Sequence, residues 1–126
     1  MPFGIRHIEI LVSDFEKSVP FYEGFFSCIG WEQIDETGFK CGDTKIYLKK
    51  SSFDDERTGT LGARHICFHA DDIETLEVVR RFLRKHRIKI IRGPIELIDD
   101  WHPEGGYHTV DFYDPDGYIL EVSYKE

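Results

Sequence analysis

Residues 6–14 read Arg-His-Ile-Glu-Ile-Leu-Val-Ser-Asp, and residues 64–72 read Arg-His-Ile-Cys-Phe-His-Ala-Asp-Asp. Set one above the other, the two stretches share their Arg, His and Ile and their closing Asp. A stretch repeated within 126 residues points to a duplicated unit, whose apolar strand face is expected to pack beneath a helix. Both alternate with period two, the mark of a strand with two unlike faces. Ile8, Ile10 and Val12 share one face and His7, Glu9 and Leu11 the other. In the second copy Ile66, Phe68 and Ala70 oppose His65, Cys67 and His69. Each copy closes on a helix-start signal with capping-box spacing, Ser13 with Glu16 and Asp71 with Glu74. A helical pattern follows. The first, Phe15–Phe26, contains Pro20, which removes a backbone donor and predicts a kink or a short opening turn. The second runs through Leu76, Val79, Phe82 and Leu83 to Arg84, Lys85, His86 and Arg87, cations suited to the negative end of a helix dipole.

Further strands are predicted after each helix: Glu32–Glu36, Phe39–Cys41 and Lys45–Lys49, then Ile88–Arg92, Tyr107–Tyr113 and Tyr118–Tyr124. Gly38 and Gly42-Asp43 read as turns. Asp114-Pro115-Asp116-Gly117 reads as a hairpin turn with Pro second and Gly fourth. Ser51–Gly62 and Pro94–Gly106 read as loops, and Trp101, His102 and Pro103 as part of a lid. The expectation is an α+β fold of two βαβββ modules, about residues 3–50 and 62–125, in one domain spanning 1–126. Its mixed sheet would curl around a cleft, with the helices outside.

The alternation sends Val110, Phe112, Leu120 and Val122 to the core. It leaves Tyr107, Thr109, Asp111, Tyr113, Ile119, Glu121 and Ser123 facing the hollow with His7 and His65. The two histidines occupy matching repeat positions, and Glu121 completes a set of two imidazoles and one carboxylate. Such a set holds one divalent ion, Fe, Mn, Zn or Ni, and leaves coordination positions open for a substrate. Glu9 and Asp111 are the candidate proton carriers; Glu9 has the alternative role of anchoring a histidine N–H. His69 reads as a pocket residue and Tyr107 as pocket wall or hydrogen-bond donor. Cys67 reads as a small inward filler unless its thiol lies near the ion.

Composition bounds the partners. Sixteen Lys and Arg against 24 Asp and Glu leave a net charge of −8, which argues against nucleic acid and against anionic membranes. With 40% hydrophobic and 14% aromatic residues the chain is too apolar for disorder. No apolar run approaches the roughly 20 residues of a membrane span. Met1-Pro2-Phe3-Gly4 does not read as a signal peptide, and Cys28, Cys41 and Cys67 show no Cys-x-x-Cys pairing. A cytoplasmic location with reduced thiols is expected, with the cysteines as small core residues, Cys28 foremost. Asp54-Asp55-Glu56-Arg57 reads as a solvated turn.

Arg-His-Ile-Glu-Ile-Leu-Val-Ser-Asp-Phe-Glu-Lys-Ser-Val-Pro-Phe-Tyr at 6–22 resembles the opening of the vicinal oxygen chelate superfamily. So does Phe-Tyr-Asp-Pro-Asp-Gly-Tyr-Ile-Leu-Glu-Val at 112–122. That superfamily includes glyoxalase I, the bleomycin-resistance proteins and the extradiol dioxygenases. By position the resemblance implies metal slots at His7, Tyr47, His65 and Glu121, with Tyr47 placed by matching Ile46-Tyr47-Leu48 to Leu120-Glu121-Val122. Tyr47 stands where glyoxalase I and methylmalonyl-CoA epimerase have Glu or Gln, which argues against glyoxalase I activity; it becomes pocket wall or a hydrogen-bond donor to substrate. Asp111 stands where extradiol enzymes have Tyr, and Glu9 where fosfomycin-modifying enzymes have Thr. Single-domain members whose penultimate strand opens Gly-Tyr-Tyr are nearly matched by Gly106-Tyr107-His108.

The function this implies is metal-dependent chemistry of lyase, isomerase, transferase or dioxygenase type on a small oxygen-bearing substrate. The alternative is a metal-free binder of the bleomycin-resistance type. The resemblance also implies a homodimer, with the site within one chain or across the two-fold axis.

Overall fold

The computed structural model describes residues 4–51 and 62–126. The predicted linker between Ser51 and Gly62, with its Asp54–Arg57 turn, lies outside the described residues except at its two ends. Two compact units follow each other along the chain, one on either side of the Leu61–Gly62 junction. In the first, β1 (His7–Val12), α1 (Phe15–Cys28), β2 (Glu32–Asp35), β3 (Gly38–Cys41) and β4 (Thr44–Lys50) form a sheet ordered β1-β4-β3-β2. In the second, β5 (His65–His69), α2 (Glu74–Lys85), β6 (Ile90–Leu97), β7 (Tyr107–Tyr113) and β8 (Ile119–Lys125) form a sheet ordered β5-β8-β7-β6. In both sheets the opening strand runs parallel to the last, and the other pairings are antiparallel. The fold is α+β, two βαβββ modules, as the repeat predicts.

The period-two reading shows in the burial of β1 and β5, whereas in β7 and β8 Thr109, Glu121 and Ser123 of the other face are buried as well. Ile10, Val12, Phe68 and Ala70 are buried, whereas His7, Glu9, His65, Cys67 and His69 are exposed. Helix α1 presents an aromatic face, Phe21, Tyr22, Phe25 and Phe26, and Phe26 packs on Phe39 of β3 with ring centroids 4.7 Å apart. Helix α2 buries Leu76, Val79 and Leu83 and packs against β6, β7 and β8, whose Val110, Phe112, Leu120 and Val122 are fully buried. Each large side chain removed from water contributes about 1.5–3 kcal/mol, so these two helix faces dominate each module's stability.

Several local expectations are corrected. Asp14, not Ser13, caps α1; it is extended at φ −150° and its carboxylate accepts from the Glu16 amide at 2.9 Å. At α2 the carboxylate that takes the free amide is Asp72, not Asp71, accepting from Thr75 N at 2.8 Å and from its hydroxyl at 2.7 Å. Helix α1 continues through Pro20 as one element to Cys28. The predicted Pro94–Gly106 loop begins late, because β6 runs through Pro94 to Leu97. An edge strand tolerates a proline, and the register shifts on both sides of Arg92 absorb Gly93 and Pro94. Gly93 has φ +85° there, and a Cβ on it would collide with the Thr109 carbonyl. Gly38 belongs to β3 rather than to a turn, and a Cβ there would lie 2.9 Å from the Tyr47 ring. Cys41 is exposed and Cys28 half-buried, so neither is a core residue. No helix among the described residues is long and apolar enough to cross a membrane.

The Asp114–Gly117 turn forms as predicted, with Gly117 N donating to Asp114 O at 3.1 Å. The buried Asp114 carboxylate accepts from Asp116 N at 2.9 Å and Tyr118 N at 2.8 Å. Asp114→Ala leaves those amides without their acceptor and is expected to lower unfolding stability by about 1–3 kcal/mol, read as an earlier urea midpoint at unchanged slope.

Candidate functional site

In module two the parallel β5–β8 register sets Cys67 opposite Glu121, and the antiparallel β7–β8 register sets Asp111 opposite Glu121. The inward face of three adjacent strands therefore meets at one carboxylate. Glu121 is buried, its side chain 7% exposed. Its Oε2 accepts from Thr109 Oγ1 at 2.6 Å and from the Tyr107 hydroxyl at 2.8 Å. Its Oε1 faces His65 Nε2 at 3.1 Å. One oxygen is thus fixed by two neutral donors and the other is turned toward an imidazole.

Asp111 is a second carboxylate directly across the strand pair, an arrangement that repels. Arg92 answers it, its Nη2 lying 2.9 Å from Asp111 Oδ2. Thr109 Oγ1 also lies 3.1 Å from Asp111 Oδ1 and 3.3 Å from Val122 O. A hydroxyl has one proton to give, and the shortest of the three contacts assigns it to Glu121. Arg92 therefore serves Asp111, and His65 is left to serve Glu121.

Tyr107 is held on its other side by His102, whose ring stacks on it with centroids 4.1 Å apart and planes 17° apart. His102 is in turn gripped by Asp99, which accepts from its amide at 2.8 Å and lies 3.1 Å from its Nδ1. The Asp99–Gly105 turn is thereby linked through Tyr107 to Glu121. Burial is the largest cause raising the Tyr107 hydroxyl well above the ordinary phenol range. The Ser123 hydrogen bond opposes that rise, while donation to Glu121 and the nearby negative charges add to it. The Cys67 sulfur lies 3.2 Å from Ser123 Oγ, and its partial burial, with the charges of Glu121 and Asp111, raises this thiol too.

His65, Glu121, Tyr107 and Asp111 are thus neighbours on one face. His69 stands apart at the end of β5, three-quarters exposed, with Nε2 3.6 Å from Asp71. In module one, Tyr47 pairs with Glu9 as Glu121 pairs with Cys67. Tyr47 and Glu121 therefore hold equivalent slots, and His7 meets Tyr47 edge-on with centroids 5.8 Å apart. Glu9 is exposed beside them. Sequence reasoning gave no role to Thr109 or Arg92 and placed His102 only in a lid. Alternation marked Thr109 as inward, but nothing in the sequence told which acceptor its proton would choose.

The His65–Glu121 pair suits a divalent ion. Two ligand atoms bound at about 2.1 Å and at a right angle stand about 3.0 Å apart, close to the 3.1 Å observed. A buried carboxylate with one oxygen held by two hydrogen bonds and the other turned to an imidazole is compatible with the donor set of such a centre.

A family model for the glyoxalase/bleomycin resistance protein/dioxygenase superfamily matches residues 4–122. No curated protein matches the sequence. Among solved structures, a Bacillus halodurans protein assigned to the glyoxalases is 23% identical with a TM-score of 0.74, over 95% of this chain and 94% of that one. A glyoxylase/bleomycin resistance protein/dioxygenase domain from Frankia sp. EAN1pec is 20% identical with a TM-score of 0.72, over the whole of both chains. A glyoxalase/dioxygenase from Nostoc punctiforme is 21% identical with a TM-score of 0.70, over 98% and 91%. At these identities the structural likeness is one of fold.

The raised Tyr107 pKa has a signed consequence. An ordinary phenol is half ionised near pH ~10, so the ultraviolet difference between wild type and Tyr107→Phe should show no tyrosinate at that pH and develop it only above. Because the folded value exceeds the unfolded one, the stabilisation is complete below about pH 10 and declines as the pH rises beyond it. Urea midpoints of the two proteins should converge across that range.

Proposed function

Because the chain belongs to the glyoxalase/bleomycin resistance protein/dioxygenase superfamily, we propose that it is a divalent-metal-dependent enzyme acting on a small oxygen-bearing substrate, by lyase, isomerase or dioxygenase chemistry. His65 and Glu121 are two ligands of this reading, and their repeat partner His7 is the third, supplied by the same chain or by a second copy in a homodimer. When bound, an Fe, Mn, Zn or Ni ion supplies Lewis acidity toward paired substrate oxygens. The single observation that carries the proposal is the buried Glu121 carboxylate, with one oxygen held by Thr109 and Tyr107 and the other turned to His65 at 3.1 Å.

The chain's own groups divide the remaining work. Thr109 and Tyr107 fix the plane of the Glu121 carboxylate, so no reorientation is needed when charge develops nearby. Tyr107 keeps its proton through neutral pH and acts as a donor. Asp111, with Arg92 Nη2 2.9 Å from its Oδ2, serves as the proton acceptor of this proposal. Glu9 either shares that role or anchors a histidine N–H in module one. Tyr47 and His69 contribute substrate contacts. The net charge of −8 favours a second reading, capture of a cationic small molecule without metal.

Metal analysis of the untagged protein separates the two. The enzyme reading expects stoichiometric metal, with affinity lowered at least about 100-fold in His65→Ala and Glu121→Gln and similarly in His7→Ala. Thr109→Val, which removes only an orienting hydrogen bond, should cost about 10–100-fold. A wild-type protein that takes up no divalent metal while binding a cationic drug tightly would establish the binder instead.

A further inference from the structure

On the opposite face of the module-two sheet a separate group of ligating side chains comes together. The β6–β7–β8 register sets Glu96, His108 and Tyr124 side by side across three strands. Glu126 lies two residues beyond Tyr124 and so on the same face. The Glu126 amide donates to Gly106 O at 2.8 Å, and the Gly106 amide donates to Glu96 Oε2 at 2.7 Å. Gly106 thus draws Glu96 and Glu126 toward the same spot. One ligand atom from each of Glu96, His108 and Glu126 lies within 4.8 Å of the others.

One feature of this group is unexplained by the protein alone. His108 Nε2 is cut off from solvent and has no hydrogen-bond partner. Its nearest carboxylate oxygen, Glu126 Oε2, is 3.6 Å away, beyond hydrogen-bond reach. A buried ring nitrogen without a partner is costly, and the two carboxylates repel each other. Lys125 Nζ, close by, donates to Gly105 O at 3.2 Å. A divalent cation would satisfy the ring nitrogen and neutralise both acids at once.

We propose that Glu96, His108 and Glu126 form a second divalent-metal site, of zinc type, that clips the edge strand β6 to β7 and to the residues after β8. One imidazole and two carboxylates are borderline-to-hard donors suited to Zn(II). Neighbouring ligands of a tetrahedral ion stand about 3.4 Å apart, so small side-chain rotations close the group around one. The site rests on none of the residues assigned to catalysis.

The test uses the full chain carrying His7→Ala, His65→Ala and Glu121→Gln, and zinc alone as the probe in isothermal titration calorimetry and thermal melts. One zinc equivalent should still bind, raising Tm by roughly 10 °C at a hundredfold excess over Kd. Adding Glu96→Gln, which keeps an acceptor for the Gly106 amide, should weaken binding at least about tenfold. His108→Gln should do the same. Should His108→Gln fail to fold, Glu96→Gln with Glu126→Gln makes the measurement. No zinc binding in the triple variant, or binding indifferent to Glu96 and His108, overturns the second site. Loss of zinc only through the His65 and Glu121 changes would leave the metal centre of the enzyme reading standing alone.

Discussion

A carboxylate sits buried at the meeting of three strands, and most of module two's inward face is arranged around its charge. Burying an ionised Glu side chain without partners would be prohibitive. Glu121 has Thr109 and Tyr107 on one oxygen and His65 beside the other. Asp111, opposite in register, would make matters worse were Arg92 not paired with it. The chain has thereby sorted two facing acids into one satisfied by a guanidinium and one left facing an imidazole. The second arrangement is asymmetric in a way that packing alone does not require.

The duplicated modules diverge at this point. In module one the slot equivalent to Glu121 holds Tyr47, a neutral aromatic lying edge-on to His7. Gly38 across from it has no side chain, and one there would press on the Tyr47 ring. The two halves thus keep the histidine and exchange the group beside it. Module one offers an aromatic wall and module two a charged, hydrogen-bonded cluster.

The segment after β6 is tied into the same cluster. Asp99 closes its own turn and grips His102, and His102 stacks on Tyr107, which donates to Glu121. A change in that turn therefore reaches the carboxylate through two contacts. Trp101, 87% exposed, sits on this turn, its amide donating to Asp99 at 2.9 Å.

The repeated Arg-His-Ile, the period-two alternation and the Asp-Pro-Asp-Gly turn determined the βαβββ duplication, the faces of the inner strands and the placing of His65, Tyr107, Asp111 and Glu121 on one surface. Those features are local, since a strand's alternation and a turn's backbone angles follow from neighbouring residues. Pro94 misled, because a breaker in sequence is harmless on an edge strand, and edge position is a property of the sheet. The helix caps shifted by one residue, because adjacent Ser13 and Asp14, or Asp71 and Asp72, differ only in which carboxylate or hydroxyl the backbone turns toward the free amide. Tertiary structure alone decided that Thr109 gives its proton to Glu121, that Arg92 answers Asp111, that His102 lies on Tyr107 and that Glu96, His108 and Glu126 converge. Each of these depends on cross-strand register and side-chain direction between residues far apart in the chain, and no spacing along one strand encodes them.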